Sequence, residues 1–169
     1  MTARVPQMRV GLGFDVHPFA PDRPLYIGGV HIPFAHGLAG HSDADVLLHA
    51  IADAIFGAIG AGDIGQHFPN TDPRWQNCPS RVFVEHAAAQ AALQGFAIVN
   101  VDCTLLAEKP KIGPYVATMR ATIAAMLAID SGAVGVKATT MEKMGFVGRE
   151  EGIAALAVAL LAKSEDSSS

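Results

Sequence analysis

A chain of 169 residues, half of them apolar and only 7% aromatic, has the length of one compact domain with a core of Ala, Val, Ile and Leu. A formal charge of −4 and the lack of any Lys/Arg run exclude a general nucleic-acid or anionic-membrane surface. The longest uncharged apolar run, residues 152–162, is too short to span a bilayer; residues 1–7 are too short and polar for a signal peptide; and two cysteines without metal or redox spacing fit a reduced, cytoplasmic compartment.

Residues 8–16 alternate and predict a strand that breaks at Pro18. Two short apolar runs flank Gly28-Gly29, which supplies the positive φ of a hairpin turn. Ser42 or Asp43 caps a helix running to about residue 59, with the stripe Leu47, Ala50, Ile51, Ala54, Ile55 and Ala58. Ser80 caps a second helix that stops before Gly95. Residues 96–106 are β-rich. Pro114 opens a third helix ending near Ile129, and residues 134–140 form another strand. Residues 152–163 are ambiguous: Ala and Leu favour helix, whereas Ile153, Val158 and the missing charged face permit a buried strand. The pattern is one α/β sandwich domain over residues 8–163, its sheet covered by helices on one face. Residues 1–7 form an extension and 164–169 a polar, disordered tail. The apolar fraction is high for this size, which leaves apolar surface to bury between subunits.

Asp15 and His17 stand two apart at the end of the first strand. Period-two geometry puts both on one face, while Phe14 and Val16 turn the other way, toward packing. His49 lies on the first helix, with Asp45 and Asp53 four residues to either side on the same helical face. Either carboxylate can take the second imidazole N–H that a metal-bound histidine presents. Two imidazoles and a carboxylate make a zinc set with a fourth position open to substrate. A lone helix histidine is more often a surface or core residue, and Asp-x-His arises by chance, so spacing alone leaves both readings open. His41 is a further ligand or donor candidate, or a plain loop histidine. His31, His36, His67 and His86 read as structural or exposed.

Gly62-Asp63-Ile64-Gly65 and Phe68-Pro69-Asn70-Thr71-Asp72 offer amides to oxygens and carboxylates to hydroxyls, though an ordinary pair of turns explains them as well. Lys137-Ala138-Thr139-Thr140-Met141-Glu142-Lys143 ends a strand with hydroxyls and cations suited to phosphate and an acid suited to Mg²⁺; a strand with solvated ends reads the same. Residues 107–114 carry prolines and a glycine that stiffen a loop. A polyphosphate substrate needs positive charge, and an acidic chain with few cations there leaves metals to supply it.

Six segments, in this order and at this spacing, carry a resemblance. They are Gly13-Phe14-Asp15-Val16-His17, Ile27-Gly28-Gly29-Val30, His41-Ser42-Asp43-Ala44-Asp45-Val46, Gly62-Asp63-Ile64-Gly65, Pro110-Lys111, and Lys137-Ala138-Thr139-Thr140 through Glu142-Lys143-Met144-Gly145-Phe146. Over residues 8–163 the chain resembles the 2-C-methyl-D-erythritol 2,4-cyclodiphosphate synthases of the non-mevalonate isoprenoid pathway. That resemblance implies Zn²⁺ on Asp15, His17 and His49, and Mg²⁺ or Mn²⁺ on Glu142. His41 and Thr140 match residues that orient the phosphates and stabilise the transition state. Ser42, Asp63, Ile64, Gly65, Phe68, Pro69, Asn70, Thr71 and Asp72 match the methylerythritol wall. Ala107, Pro110, Lys111, Ile112, Gly113, Ala138, Thr139 and Thr140 match the cytidine pocket. Phe146 and Arg149 match an apolar channel on a threefold axis where some members bind isoprenoid diphosphates.

The fold implied is α/β (α+β): a single-domain sandwich with a mixed four-stranded sheet, residues 152–163 included as a strand, helices on one face and a small hairpin. It assembles as a homotrimer with sites between subunits. The implied substrate is 4-diphosphocytidyl-2-C-methyl-D-erythritol 2-phosphate, cyclised with loss of CMP. Asn70 stands where the family usually has Asp, and Met141 where Thr is common. The same ligands would serve a zinc-dependent phosphohydrolase, and a non-catalytic trimer binding isoprenoid diphosphates is a further alternative that needs neither metal.

Overall fold

The computed structural model describes residues 7–163; the expected N-terminal extension, Gln7 apart, and the expected tail at 164–169 lie outside the described residues. Alternating side chains make β1 (Met8–Ala20), which runs through Pro18 instead of ending there. Pro18 pairs with Gly152 and contributes a carbonyl that accepts from the Ala39 amide; a strand tolerates proline where no ladder N–H is required. Gly28 and Gly29, with φ of 60° and 74°, turn β2 (Leu25–Ile27) back onto β3 (Val30–Ile32). The two-residue β4 (Gly37–Leu38) pairs with the end of β1.

Helix α1 (Val46–Ile59) begins later than expected, and neither Ser42 nor Asp43 caps it. Asp45 does. Its carboxylate accepts from the amides of Leu47 and Leu48, and from those of Gly28 and Gly29 in the hairpin. One buried carboxylate thus ties hairpin and helix together, and burial pushes its carboxyl up despite those donors. The predicted apolar stripe of α1 is buried, and so is nearly everything else; only His49, Asp53 and Gly57 escape full burial.

The chain continues through α2 (Ile64–His67), α3 (Arg81–Leu93) and β5 (Phe96–Leu106). Pro114 sits in a single turn over Gly113–Tyr115, so α4 (Val116–Leu127) starts after it and ends at Ala128, which adopts the left-handed conformation. Next come β6 (Val134–Thr139), α5 (Gly145–Gly148) and β7 (Gly152–Lys163). β7 is a strand in spite of its Ala and Leu. It lies between β1 and β5, antiparallel to both, and paired hydrogen bonding on two sides outweighs a propensity worth less than about 0.7 kcal/mol per residue.

The main sheet has five strands in the order β4-β1-β7-β5-β6, with β5 and β6 parallel; the expected four are joined by β4. One face is covered by helices. Gly11 and Gly13 let α1 lie directly on β1, since a Cβ at either would overlap the carbonyl oxygen of Ala54 or Ala50. The other face is open and apolar. Phe14 and Val16, expected to pack, are 54% and 41% exposed there, beside Met8, Val10, Leu12 and Val158. Among the described residues no helix is long and apolar enough to cross a membrane.

Candidate metal centre and substrate pockets

The Gly13 contact brings α1 against the end of β1, and His49 therefore meets Asp15 and His17 on the helix-covered face. Asp15 Oδ2 lies 2.9 Å from His17 Nε2 and 3.0 Å from His49 Nδ1, and those two nitrogens are 3.1 Å apart. Ligand atoms of a tetrahedral zinc with bonds of about 2.1 Å stand only slightly farther apart, near 3.4 Å. Three donors of a zinc-type set thus converge on one point, and among the described residues no other group of three His, Cys, Asp or Glu does so. Burial pushes the Asp15 carboxyl up, but hydrogen bonds and charge from His17 and His49 outweigh it and hold it down at about 2. Burial lowers the His17 pKa; the bond to Asp15 more than reverses this and leaves it raised.

The far side of each imidazole is also held. His17 Nδ1 is 2.6 Å from the carbonyl of Ala39, the residue just after β4. His49 Nε2 meets Ser80 Oγ at 2.9 Å and Ser42 Oγ at 3.1 Å. The carboxylates expected to hold it are occupied elsewhere: Asp45 by four amides, and Asp53 by the Ile64 amide at 2.8 Å. Sequence spacing placed them on the right face but could not show these competing donors.

A pocket of about 370 Å³ opens beside His49. Its wall includes His41, Ser42, Ile64, Gly65, Phe68, Pro69, Asn70 and Thr71, with Trp75 and Phe83, which sequence reasoning missed. Among the described residues Trp75 Nε1 is a buried donor without a partner, a costly state unless something accepts from it. Asp63 and Asp72 stand outside this wall; they accept from the amides of Gln66 and Arg74 and cap the turns that shape it.

A second pocket, of about 190 Å³, lies at the ends of β5 and β6. It gathers Ala107, Pro110, Lys111, Ile112, Gly113, Ala138, Thr139 and Thr140, plus Glu108 of the same 107–113 stretch. Glu108 braces the rim by accepting from the amides of Met141 and Lys143. Glu142 is exposed, accepts from Thr140 Oγ1 at 3.0 Å, and stands apart from the three-donor centre. One chain therefore does not bring His41 and Thr140 together: they line different pockets. Phe146, on α5, and Arg149, which pairs with Glu151, are exposed and line neither.

Residues 8–162 match the model of the YgbB family. The 2-C-methyl-D-erythritol 2,4-cyclodiphosphate synthase of Geobacillus thermodenitrificans is 58% identical over 157 residues, 93% of this chain and 98% of that protein. Among solved structures, the bifunctional IspDF of Campylobacter jejuni superposes with a TM-score of 0.92 at 41% identity, over 95% of this chain and 44% of that one. The IspF of Plasmodium falciparum, solved as a CDP complex, gives 0.84 at 32% identity, over 96% of this chain and all of that one (100%). The chain belongs to the YgbB family, that of the 2-C-methyl-D-erythritol 2,4-cyclodiphosphate synthases.

Proposed function

We propose that this chain converts 4-diphosphocytidyl-2-C-methyl-D-erythritol 2-phosphate to 2-C-methyl-D-erythritol 2,4-cyclodiphosphate with release of CMP. An oxygen of the 2-phosphate attacks the β-phosphorus, the bond from that phosphorus to the bridging oxygen breaks, and CMP leaves with that oxygen. In a chain of this family, the observation that carries the reading is the convergence of Asp15, His17 and His49 within 3.1 Å beside an open pocket.

When bound, Zn²⁺ at those three residues and Mg²⁺ or Mn²⁺ at Glu142 supply the positive charge and Lewis acidity that a diphosphate needs in an acidic protein. The chain's own residues do the positioning. The wall from Ser42 to Thr71 confines the methylerythritol, and the smaller pocket with Lys111 and Thr139 takes the cytidine diphosphate end. His41 and Thr140 orient the phosphates. Attack is intramolecular, so holding the substrate folded supplies much of the acceleration, and no side-chain nucleophile is required. Asn70 presents a neutral amide where the family usually has a carboxylate.

The working site is composite, and the assembly a homotrimer. Two facts support this. The metal centre lies on the helix-covered face at β1, whereas Thr139 shares the open face with Lys137 and Asp102 across β6 and β5. The open face is also too apolar to be left to water. Two different half-sites meet in a head-to-tail contact, which closes as a ring. Phe146 and Arg149 then stand ready for an isoprenoid diphosphate on the ring axis, one side chain apolar and the other cationic. The free Cys78 and Cys103 fit a cytoplasmic location.

Incubating the protein with the substrate, Zn²⁺ and Mg²⁺ is expected to yield CMP and the cyclic diphosphate in equal amounts by NMR of phosphorus. Linear phosphates instead would overturn the reading in favour of a zinc phosphohydrolase.

A further inference from the structure

The second nitrogen of His49 ends a hydrogen-bond chain that runs in one direction only. Nε2 lies 2.9 Å from Ser80 Oγ, and Ser80 donates its single hydroxyl proton to Asp43. Both Asp43 oxygens already accept a backbone N–H, Oδ1 from Asp45 and Oδ2 from Ser80. A carboxylate placed among donors has no proton to return. The Ser80 oxygen therefore turns lone pairs toward His49 and toward Ser42 Oγ, 3.2 Å away. Ser42 accepts from the Ala44 amide and has a proton for Ser80. Lone pair would face lone pair across 2.9 Å unless His49 carries its hydrogen on Nε2. With the hydrogen there, Nδ1 can give its lone pair to a metal, which would replace the hydrogen bond that this nitrogen makes to the Asp15 carboxylate at 3.0 Å.

A second observation sets Ser80 apart. It occupies the N-cap of α3, where a serine hydroxyl ordinarily accepts from the first free amides, yet its side chain makes no capping bond. The hydroxyl is fully buried and committed to Asp43 and His49 instead. Helix capping has been given up for a contact with a metal-centre histidine.

We propose that Asp43 and Ser80 are positioning residues that lock His49 into its Nε2–H tautomer and so present Nδ1 to the metal. Asp43 acts only through Ser80. The inference rests on Asp15, His17 and His49 holding zinc. A neutral imidazole free to choose its tautomer would spend part of its time with a hydrogen where the metal must bind, and it could swing on its Cβ. Partners beyond the ligand shell set metal affinity in this way.

The test is a double-mutant cycle on zinc affinity. Metal-free protein, checked for folding by circular dichroism, competes with a chromogenic chelator for Zn²⁺. Ser80→Ala and Asp43→Ala are each expected to weaken zinc binding by about 10- to 100-fold. The double variant is expected to bind as Ser80→Ala does, because the relay is already cut. Unchanged affinity in the single variants, or losses that multiply in the double variant, overturns the relay. Wild-type protein that takes up no zinc overturns the reading of the centre instead. If a variant fails to fold, nitrogen-15 NMR of the zinc-loaded wild type decides. A hydrogen on Nε2 of His49 that is protected from solvent exchange upholds the relay; a hydrogen on Nδ1, or an Nε2 hydrogen that exchanges as freely as in an exposed imidazole, overturns it.

Discussion

Gly13 meets Ala50 backbone to backbone, with no space between them for a Cβ. That contact sets the distance between β1 and α1, and through it the 3.0 Å between Asp15 and His49. Gly13→Ala must push the helix off the strand. It is expected to destabilise the protein by about 1–3 kcal/mol, the usual cost of overpacking, and to weaken zinc binding in parallel. Urea unfolding and chelator competition check the two effects. A variant with wild-type midpoint and affinity would show that something else spaces the site.

His49→Ala removes one of three donors and leaves the rest of α1 intact. Zinc content, read by atomic absorption, and cyclic product are expected to vanish together. Zinc content and activity both at the wild-type level would dismiss the ligand assignment.

Glu142→Gln keeps the shape of the loop and its bond from Thr140. Turnover is expected to fall and its Mg²⁺ dependence to weaken, while zinc content stays at the wild-type level. Loss of zinc in this variant would contradict the separation of the two sites.

Leu12 is 63% exposed on the open face and pairs with Val158 on β7. Leu12→Glu places a charge where the proposed homotrimer must be dry. The variant is expected to sediment as a monomer, retain its circular dichroism and lose activity. A trimeric or fully active variant would remove the open face from the proposed assembly.

His86 Nε2 lies 3.4 Å from His67 Nδ1, with the rings 5.3 Å apart. Burial and the neighbouring His67 hold the His86 pKa below its ordinary value. A base with a depressed folded pKa binds its proton more tightly when unfolded. Stability is therefore complete above the unfolded value of about 6.5 and declines as pH falls through the folded one. Unfolding midpoints between about pH 7.5 and pH 5 are expected to drop, and His86→Gln to flatten the drop. The effect is modest because solvent reaches the pair. An identical profile in the variant would assign the decline to other groups.

Much of the architecture is legible in the chain. Strict alternation places Asp15 and His17 on one face, and a 3.6-residue stripe in α1 leaves His49 off the apolar side. The residues expected around the cytidine end do line one pocket. What stayed hidden depends on partners distant in sequence. Asp45 looked like a companion of His49, but its carboxylate is claimed by the hairpin amides of Gly28 and Gly29. Ser80 looked like a simple cap, because nothing local reveals that Asp43 lies beside it. Trp75 and Phe83 carried no spacing signal: aromatics read as core. Phe14 and Val16 turn away from the site as expected, but among the described residues they stay largely exposed.

β7 is made after every strand it joins, yet it occupies the middle of the sheet, between β1 and β5. Until it emerges from the ribosome, the nascent chain holds two strand edges facing an empty slot. The zinc ligands on β1 stay on an unsupported ribbon for the same interval. Folding is therefore decided late, by long-range pairings that close slowly. The segment that closes them is uncharged and apolar up to Lys163, the kind of stretch that finds wrong partners when it waits. Synthesis rate and chaperone occupancy over the last strand should govern the yield of active enzyme more than changes in the helices do.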